Sequence, residues 1–158
     1  MEIRIARLGD PQDATDLVWL LDAYARDPMG GGNPLSSQVK QRLARDLAQR
    51  PTCLVLLARV DGQPAGVAVS FEGYSTFAGA PLLNLHDFAV APAFRGKGVA
   101  RALLERLFEE ARLRGCCKVT LEVLSGNHRA LSVYQQAGFA GYALDPATGH
   151  ALFLQKPL

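Results

Sequence analysis

The chain lacks what would mark it for a membrane, a secretory route or nucleic acid. Its longest strongly apolar run, Cys53 to Ala58, is far too short to cross a bilayer. The first residues, Met1-Glu2-Ile3-Arg4-Ile5, carry no charged lead followed by an apolar stretch, so no signal peptide is expected and a cytoplasmic location is. Charge of one sign is scarce. Seventeen Lys and Arg against 15 Asp and Glu leave a net +2, which argues against a dedicated nucleic-acid binder. Cysteine is rare as well, with Cys53, Cys116 and Cys117 the only three. They form no Cys-x-x-Cys or Cys/His ligand spacing, so no metal is expected. Adjacent Cys116 and Cys117 diverge too much to bridge, and three reduced thiols are expected. Repeats and low-complexity linkers are also missing.

What remains is ordinary globular sequence. Its 158 residues are 49% apolar and 20% charged, enough for one real core, and a single domain over residues 1–158 is expected. Met1 to Arg7 alternates as a strand. Asp10 then caps a helix that begins at Pro11 with Asp13 in its first turn, and Leu17, Val18, Leu21 and Tyr24 share a face. Asp27 to Pro34, with three consecutive glycines, reads as a mobile loop. Ser36 or Ser37 starts a second helix with Val39, Leu43 and Leu47 on its apolar stripe, closed by Pro51. Cys53–Val60 and Gln63–Glu72 are strands around an Asp61-Gly62 turn, and Leu82–Val90 is a fourth strand. A helix runs from Val99 to about Arg114, ended by Gly115. Lys118–Leu124 is a strand, and Asn127 caps a helix through Gln136. Phe139–Ala143 and Ala151–Lys156 read as a closing hairpin. The fold class is therefore α/β with a mixed sheet: strand, two helices, three strands, helix, strand, helix, two strands. The early strands pair antiparallel, and the fourth and fifth, which flank a helix, pair parallel.

The segment richest in chemistry is Arg95-Gly96-Lys97-Gly98-Val99-Ala100, where a strand hands over to a helix. Such a turn exposes main-chain N–H groups at a positive helix end, and glycines let an anion come close. A Walker-type loop would need glycine where Ala91 stands and Ser or Thr where Gly98 stands; a dinucleotide fingerprint would need glycine at Arg101. Taken alone, Gly-Lys-Gly serves equally as a plain helix-capping loop.

The spacing Arg95-x-x-Gly98-x-Ala100 resembles the acetyl-CoA diphosphate loop of the GNAT superfamily of N-acetyltransferases (Arg or Gln, two residues, Gly, one residue, Gly or Ala). The resemblance covers Leu83 to Phe139, a little over a third of the chain, and takes in Phe88-Ala89-Val90, Pro92, Leu121-Glu122-Val123, Asn127, Ala130, Tyr134 and Gly138-Phe139. It implies a GNAT-like fold whose parallel central pair splays around acetyl-CoA. It also implies an acetyl-CoA-dependent enzyme that acetylates a primary amine of a small molecule or peptide by direct attack. A homodimer is a family-level expectation.

The resemblance carries site roles with it. Gly96, Lys97, Gly98, Val99 and Ala100 would hold the diphosphate through main-chain N–H groups, with Arg95 at the motif's head. Phe88 and Val90 would line the pantetheine, and the Val90 N–H would face the thioester oxygen. Asn127 would either touch pantetheine or cap its helix. Tyr134 would return a proton to the leaving thiolate.

A free aliphatic amine titrates near ~10, so a base helps at neutral pH. The resemblance offers Glu122, in Leu121-Glu122-Val123, as one candidate for it, against a solvent-facing strand residue. His86 is the other, with an ordinary pKa of ~6.5, against a structural strand histidine. By alternation His86 shares a face with Phe88 and Val90, and Asp87 does not. Glu72 is a weaker candidate. His128 and His150 sit in capping or turn contexts. Cys116 and Cys117 follow a helix C-terminus, which does not activate a thiol, so no acetyl-cysteine intermediate is expected. The acceptor site is expected from the first two helices, the Asp27 to Pro34 loop, and Glu72 to Ala80. The alternative function is a non-catalytic acyl-CoA-binding sensor or interaction module.

Overall fold

A computed structural model describes residues 1–142, 145, 147, 149 and 151–158. It divides into two compact units, Met1–Leu121 and Glu122–Leu158.

In the first unit, strand β1 (Glu2–Ile5) leads into helix α1 (Pro11–Ala25), and helix α2 (Ser37–Ala48) follows. Three long strands come next, β2 (Cys53–Val60), β3 (Gln63–Ser75) and β4 (Ala80–Val90), then helix α3 (Val99–Leu113) and the short strand β5 (Val119–Leu121). The helix starts fall where side-chain chemistry sets them. Asp10 accepts from the Gln12 and Asp13 N–H groups, and Ser36 accepts from that of Val39 at 3.2 Å. The five strands form one sheet in the order β1-β2-β3-β4-β5, antiparallel except for β4 with β5. The parallel pair therefore lies at the edge of the described sheet, not at its centre.

The sheet is buried on both faces, which is why β2 and β3 read as nearly continuous apolar runs. One face, with Val55, Leu57, Val67 and Val69, packs on Leu17, Leu20 and Leu21 of α1 and Leu47 of α2. The alternate residues Leu54, Leu56, Ala68, Leu83 and Leu85 are buried on the other face, which α3 covers with Leu103, Leu104 and Leu107. At Gly66 of β3 the approach is so close that a β-carbon would meet Leu103 Cδ1 at 2.9 Å and Val99 Cγ1 at 3.1 Å.

The apolar stripe of α1 differs from the one periodicity gives. Its buried residues include Asp13 and Asp16, while Val18 is half-buried. Both carboxylates are neutralised where they sit. Arg4 forms a paired hydrogen bond with Asp13, and Arg59 donates to Asp16 Oδ2 at 2.6 Å and to Asp13 Oδ1 at 3.2 Å. The Arg7 N–H adds a bond to Asp13 at 2.8 Å. The network staples α1 to β1 and β2.

In the second unit, helix α4 (His128–Gln136) starts at Asn127, whose Oδ1 accepts from the Ala130 N–H at 3.1 Å. Tyr134 is buried there and meets Phe139 edge-on, ring centroids 5.8 Å apart. Of the expected closing hairpin, residues 143, 144, 146, 148 and 150 lie outside the described residues; its described residues form no strand. His150 is among those left out. No helix among the described residues is long and apolar enough to cross a membrane.

Burial alone would raise the Asp13 pKa, but the bonds from Arg4 and Arg7 and the nearby Arg59 hold it below its ordinary value. A depressed carboxylate stabilises the fold above its unfolded pKa, and that stability drains as pH falls through the folded one. We therefore expect Asp13→Asn to cost about 3 kcal/mol in urea unfolding at neutral pH. The gap from wild type should close progressively below pH ~4.

Candidate active site

The C-terminal end of β4 delivers the chain to the glycine turn. A short 3-10 helix, Pro92–Phe94, packs the half-buried Phe94 ring against the α1/α2 side of the core. The chain then turns through Gly96 and Gly98, at φ +75° and +80°, a region where a side chain would be strained. A β-carbon at either would meet nothing within 4 Å, so the space above the turn is open. The Lys97 ammonium lies over the Phe94 ring, 5.4 Å from its centroid.

How α3 begins is the informative feature. Helices α1, α2 and α4 each start on a side chain that accepts from their first-turn amides; α3 starts at Gly98, with no side-chain cap. Its leading N–H groups are orphans at the positive end of a 15-residue helix, beside Arg95 and Lys97. Such an end suits a diphosphate. The donor set therefore fits the group that the motif implies.

Along its open edge, β4 pairs with β5 only from Leu83 to Leu85, opposite Val119 to Leu121. It then runs on past the end of β5 to Val90. β4 thus extends five residues beyond Leu85, its last residue paired with β5.

A bulge in β4 changes the reading of the base candidates. Val69 pairs with Asp87 and Ser70 with Leu85, leaving His86 as the extra residue. Strict alternation fails there. His86 does not share the face of Phe88 and Val90; its exposed ring meets Phe71 edge-on, centroids 5.6 Å apart. Phe88 pairs with Ala68 and Val90 with Gly66, both on the α3 side. Asp87, set aside by alternation, falls with Val69 and Ala89 on the α1 side. Burial raises its pKa, opposed by the adjacent His86. Tyr24 of α1 is also pushed up, first by burial, then by the charges of Asp87 and Asp27. Tyr24 thus lies within electrostatic reach of both Asp87 and Asp27, a grouping that no spacing in the sequence announces.

The Asp27 loop is not the irregular segment expected. Pro28–Gly30 is a 3-10 helix capped by Asp27, and Asp27 pairs with Arg95. Glu72, the weaker base candidate, has partners of its own. It pairs across the sheet with Leu83 and forms an ion pair with Arg114 at 3.5 Å. The Glu72 to Ser75 part of the Glu72 to Ala80 segment pairs opposite Leu83 to Ala80 at the start of β4. Burial, then the Glu72 charge, raises the Cys116 thiol pKa, which leaves it a poor nucleophile. In the second unit Glu122 is exposed and follows the end of β5, not within a strand; Asn127 caps α4 and Tyr134 is buried. His128 is exposed at the start of that helix. No cluster of metal-ligating side chains occurs among the described residues.

Comparisons with known proteins come from three directions. A family model described as the acetyltransferase (GNAT) family matches residues 17–139. Streptothricin acetyltransferase of Streptomyces lavendulae is 36% identical over 106 residues, which is 61% of this chain but only 53% of that relative. The ribosomal-protein-alanine N-acetyltransferase of Brucella melitensis biovar Abortus 2308 superposes with a TM-score of 0.75 over 99% of this chain and 100% of its own, at 22% identity. An aminoglycoside acetyltransferase from an uncultured soil metagenomic sample, solved with sisomicin, gives 0.76 over 98% and 96%, at 17% identity. At such identities the two structures speak for the fold.

The close approach at Gly66 sets where α3 starts against β3 and β4. Gly66→Ala should cost about 2 kcal/mol by overpacking against Leu103 and Val99, read as a lower melting temperature.

Proposed function

The chain belongs to the GNAT acetyltransferase family, and from that premise we propose that it transfers an acetyl group from acetyl-CoA to a primary amine. The observation that carries this reading is the uncapped start of α3. Its open amides, turned outward by Gly96 and Gly98, have the number and polarity to hold a diphosphate. Gly96, Lys97, Gly98, Val99 and Ala100 supply the main-chain donors. The backbone of Phe88 and Val90, on β4 beyond the end of β5, offers the pantetheine arm a strand-like partner. Asn127 serves α4 as its cap, which leaves its contact with pantetheine the weaker assignment.

Acetyl-CoA supplies the acetyl group as a thioester. The amine nitrogen attacks the carbonyl carbon directly, the Val90 N–H steadies the developing oxyanion, and the C–S bond breaks. Tyr134 gives the leaving sulfur its proton. The proton lost by the amine passes to a base, for which His86 and Glu122 are the assigned candidates. The acceptor we favour is a small-molecule amine of the kind the streptothricin relative's name indicates, ahead of a peptide N-terminus.

Three measurements test this reading. CoA should give a clear heat of binding in calorimetry, and Gly98→Asp, which sets a carboxylate at the helix's positive end, should weaken it about tenfold or more while the fold survives. Thiol release from acetyl-CoA should appear with at least one member of a panel of small amines and peptides. Tyr134→Phe should lower kcat about 10²-fold on that substrate. CoA binding without thiol release on any amine would favour the sensor instead. No binding at all would defeat both.

A further inference from the structure

Arg95, the head of the glycine turn, is held from two sides. Its Nε donates to the Val90 carbonyl at 3.2 Å, and its Nη2 donates to Asp27 Oδ2 at 3.0 Å. Asp27 lies 68 residues away in sequence, at the start of the connection between α1 and α2. That connection folds on Asp27. Its Oδ1 accepts from the Met29 N–H at 3.0 Å, and its carbonyl accepts from Gly30 at 2.8 Å and Gly32 at 3.1 Å. Its own N–H donates to the Tyr24 carbonyl at 2.9 Å, so the end of α1 is included. Gly30 fits this coil closely, since a β-carbon there would lie 2.0 Å from the Tyr24 oxygen. One carboxylate thus joins the diphosphate turn to the segment beside Tyr24 and Asp87.

We propose that Asp27 is a positioning residue. Through Arg95 it ties the α1–α2 connection, the acceptor-side wall on the reading above, to the occupancy of the glycine turn. The inference rests on that reading. An anion that gathers the amides of Gly96 to Ala100 fixes the backbone that carries Arg95. The Arg95 side chain, pinned to Val90 and Asp27, passes that order to residues 28–32. The ion pair is partly exposed, 37% at Arg95 and 26% at Asp27, so its contribution to global stability is small. Both its ends lie on locally folded segments, where a modest interaction changes local opening.

Amide hydrogen exchange at Met29, Gly30 and Gly32, followed by NMR with and without saturating CoA, tests this. In wild type CoA should slow exchange at these amides several-fold. Asp27→Asn keeps an oxygen to cap Met29 but removes the charge, and the CoA-dependent slowing should vanish. Linkage requires that CoA affinity, measured by calorimetry, then fall by the factor of slowing that was lost, and by no more. Arg95→Gln retains a side chain that the loop pattern accepts at this position, and it should lose the slowing too. Retention of the slowing in Asp27→Asn would overturn the inference. So would CoA that binds wild type without slowing these amides, an outcome that leaves the assigned function standing. Failure of CoA to bind wild type at all would defeat the assigned function first and this inference with it.

Discussion

An α-helix that begins without a cap has N–H groups to satisfy, and in this chain that constraint falls on α3. The other three α-helices solve it locally, with Asp10, Ser36 and Asn127. Gly98 has no side chain to offer. Everything around it holds this exposed end in place. The Phe94 ring fixes the approach to the turn against the core. Gly66 lets β3 come within contact of Val99 and Leu103, so that the first turn of α3 lies directly over the sheet. The cost of the uncapped end is thereby kept at one place, where an anion can relieve it.

Much of the frame was legible because local chemistry decides it. Caps at Asp10 and Asn127, the Asp61-Gly62 turn and the end of α3 at Gly115 follow from residue types that few other positions tolerate. The bulge at His86 was not legible. Alternation assumes one residue per partner, and nothing in Leu85-His86-Asp87 marks the extra one. That single insertion takes His86 off the face of Phe88 and Val90, while Asp87 stays opposite them. The buried carboxylates of α1 were hidden for a different reason. Asp13 and Asp16 look like surface residues until Arg4 and Arg59, from two strands, are brought beside them. Long-range pairing of this kind leaves no local trace.

The connection after α1 shows how composition misleads. Three glycines between prolines suggest freedom, yet they serve a tight return. Gly30 is there because a side chain would strike the Tyr24 carbonyl, and Gly31 and Gly32 adopt φ of +111° and +77°. Glycine is required here by crowding and by dihedral sign, and the segment is organised around Asp27.

The same pairing limits what side-chain charge can do at the glycine turn. Arg95 already serves the Asp27 carboxylate and the Val90 carbonyl, so much of its charge is spent within the protein. Lys97 rests over Phe94, a contact that leaves the ammonium close to the turn but not centred on it. With both cations partly engaged, the bulk of the attraction for an anion falls to the fixed amides of the turn and the first turn of α3. Amide donors differ from mobile cations in a way that matters for selectivity. They are directional, they do not reorganise, and they reward a ligand whose oxygens match their spacing over one that merely carries charge. A turn built this way discriminates by shape, and the two glycines that leave it open are what allow that shape to be met closely.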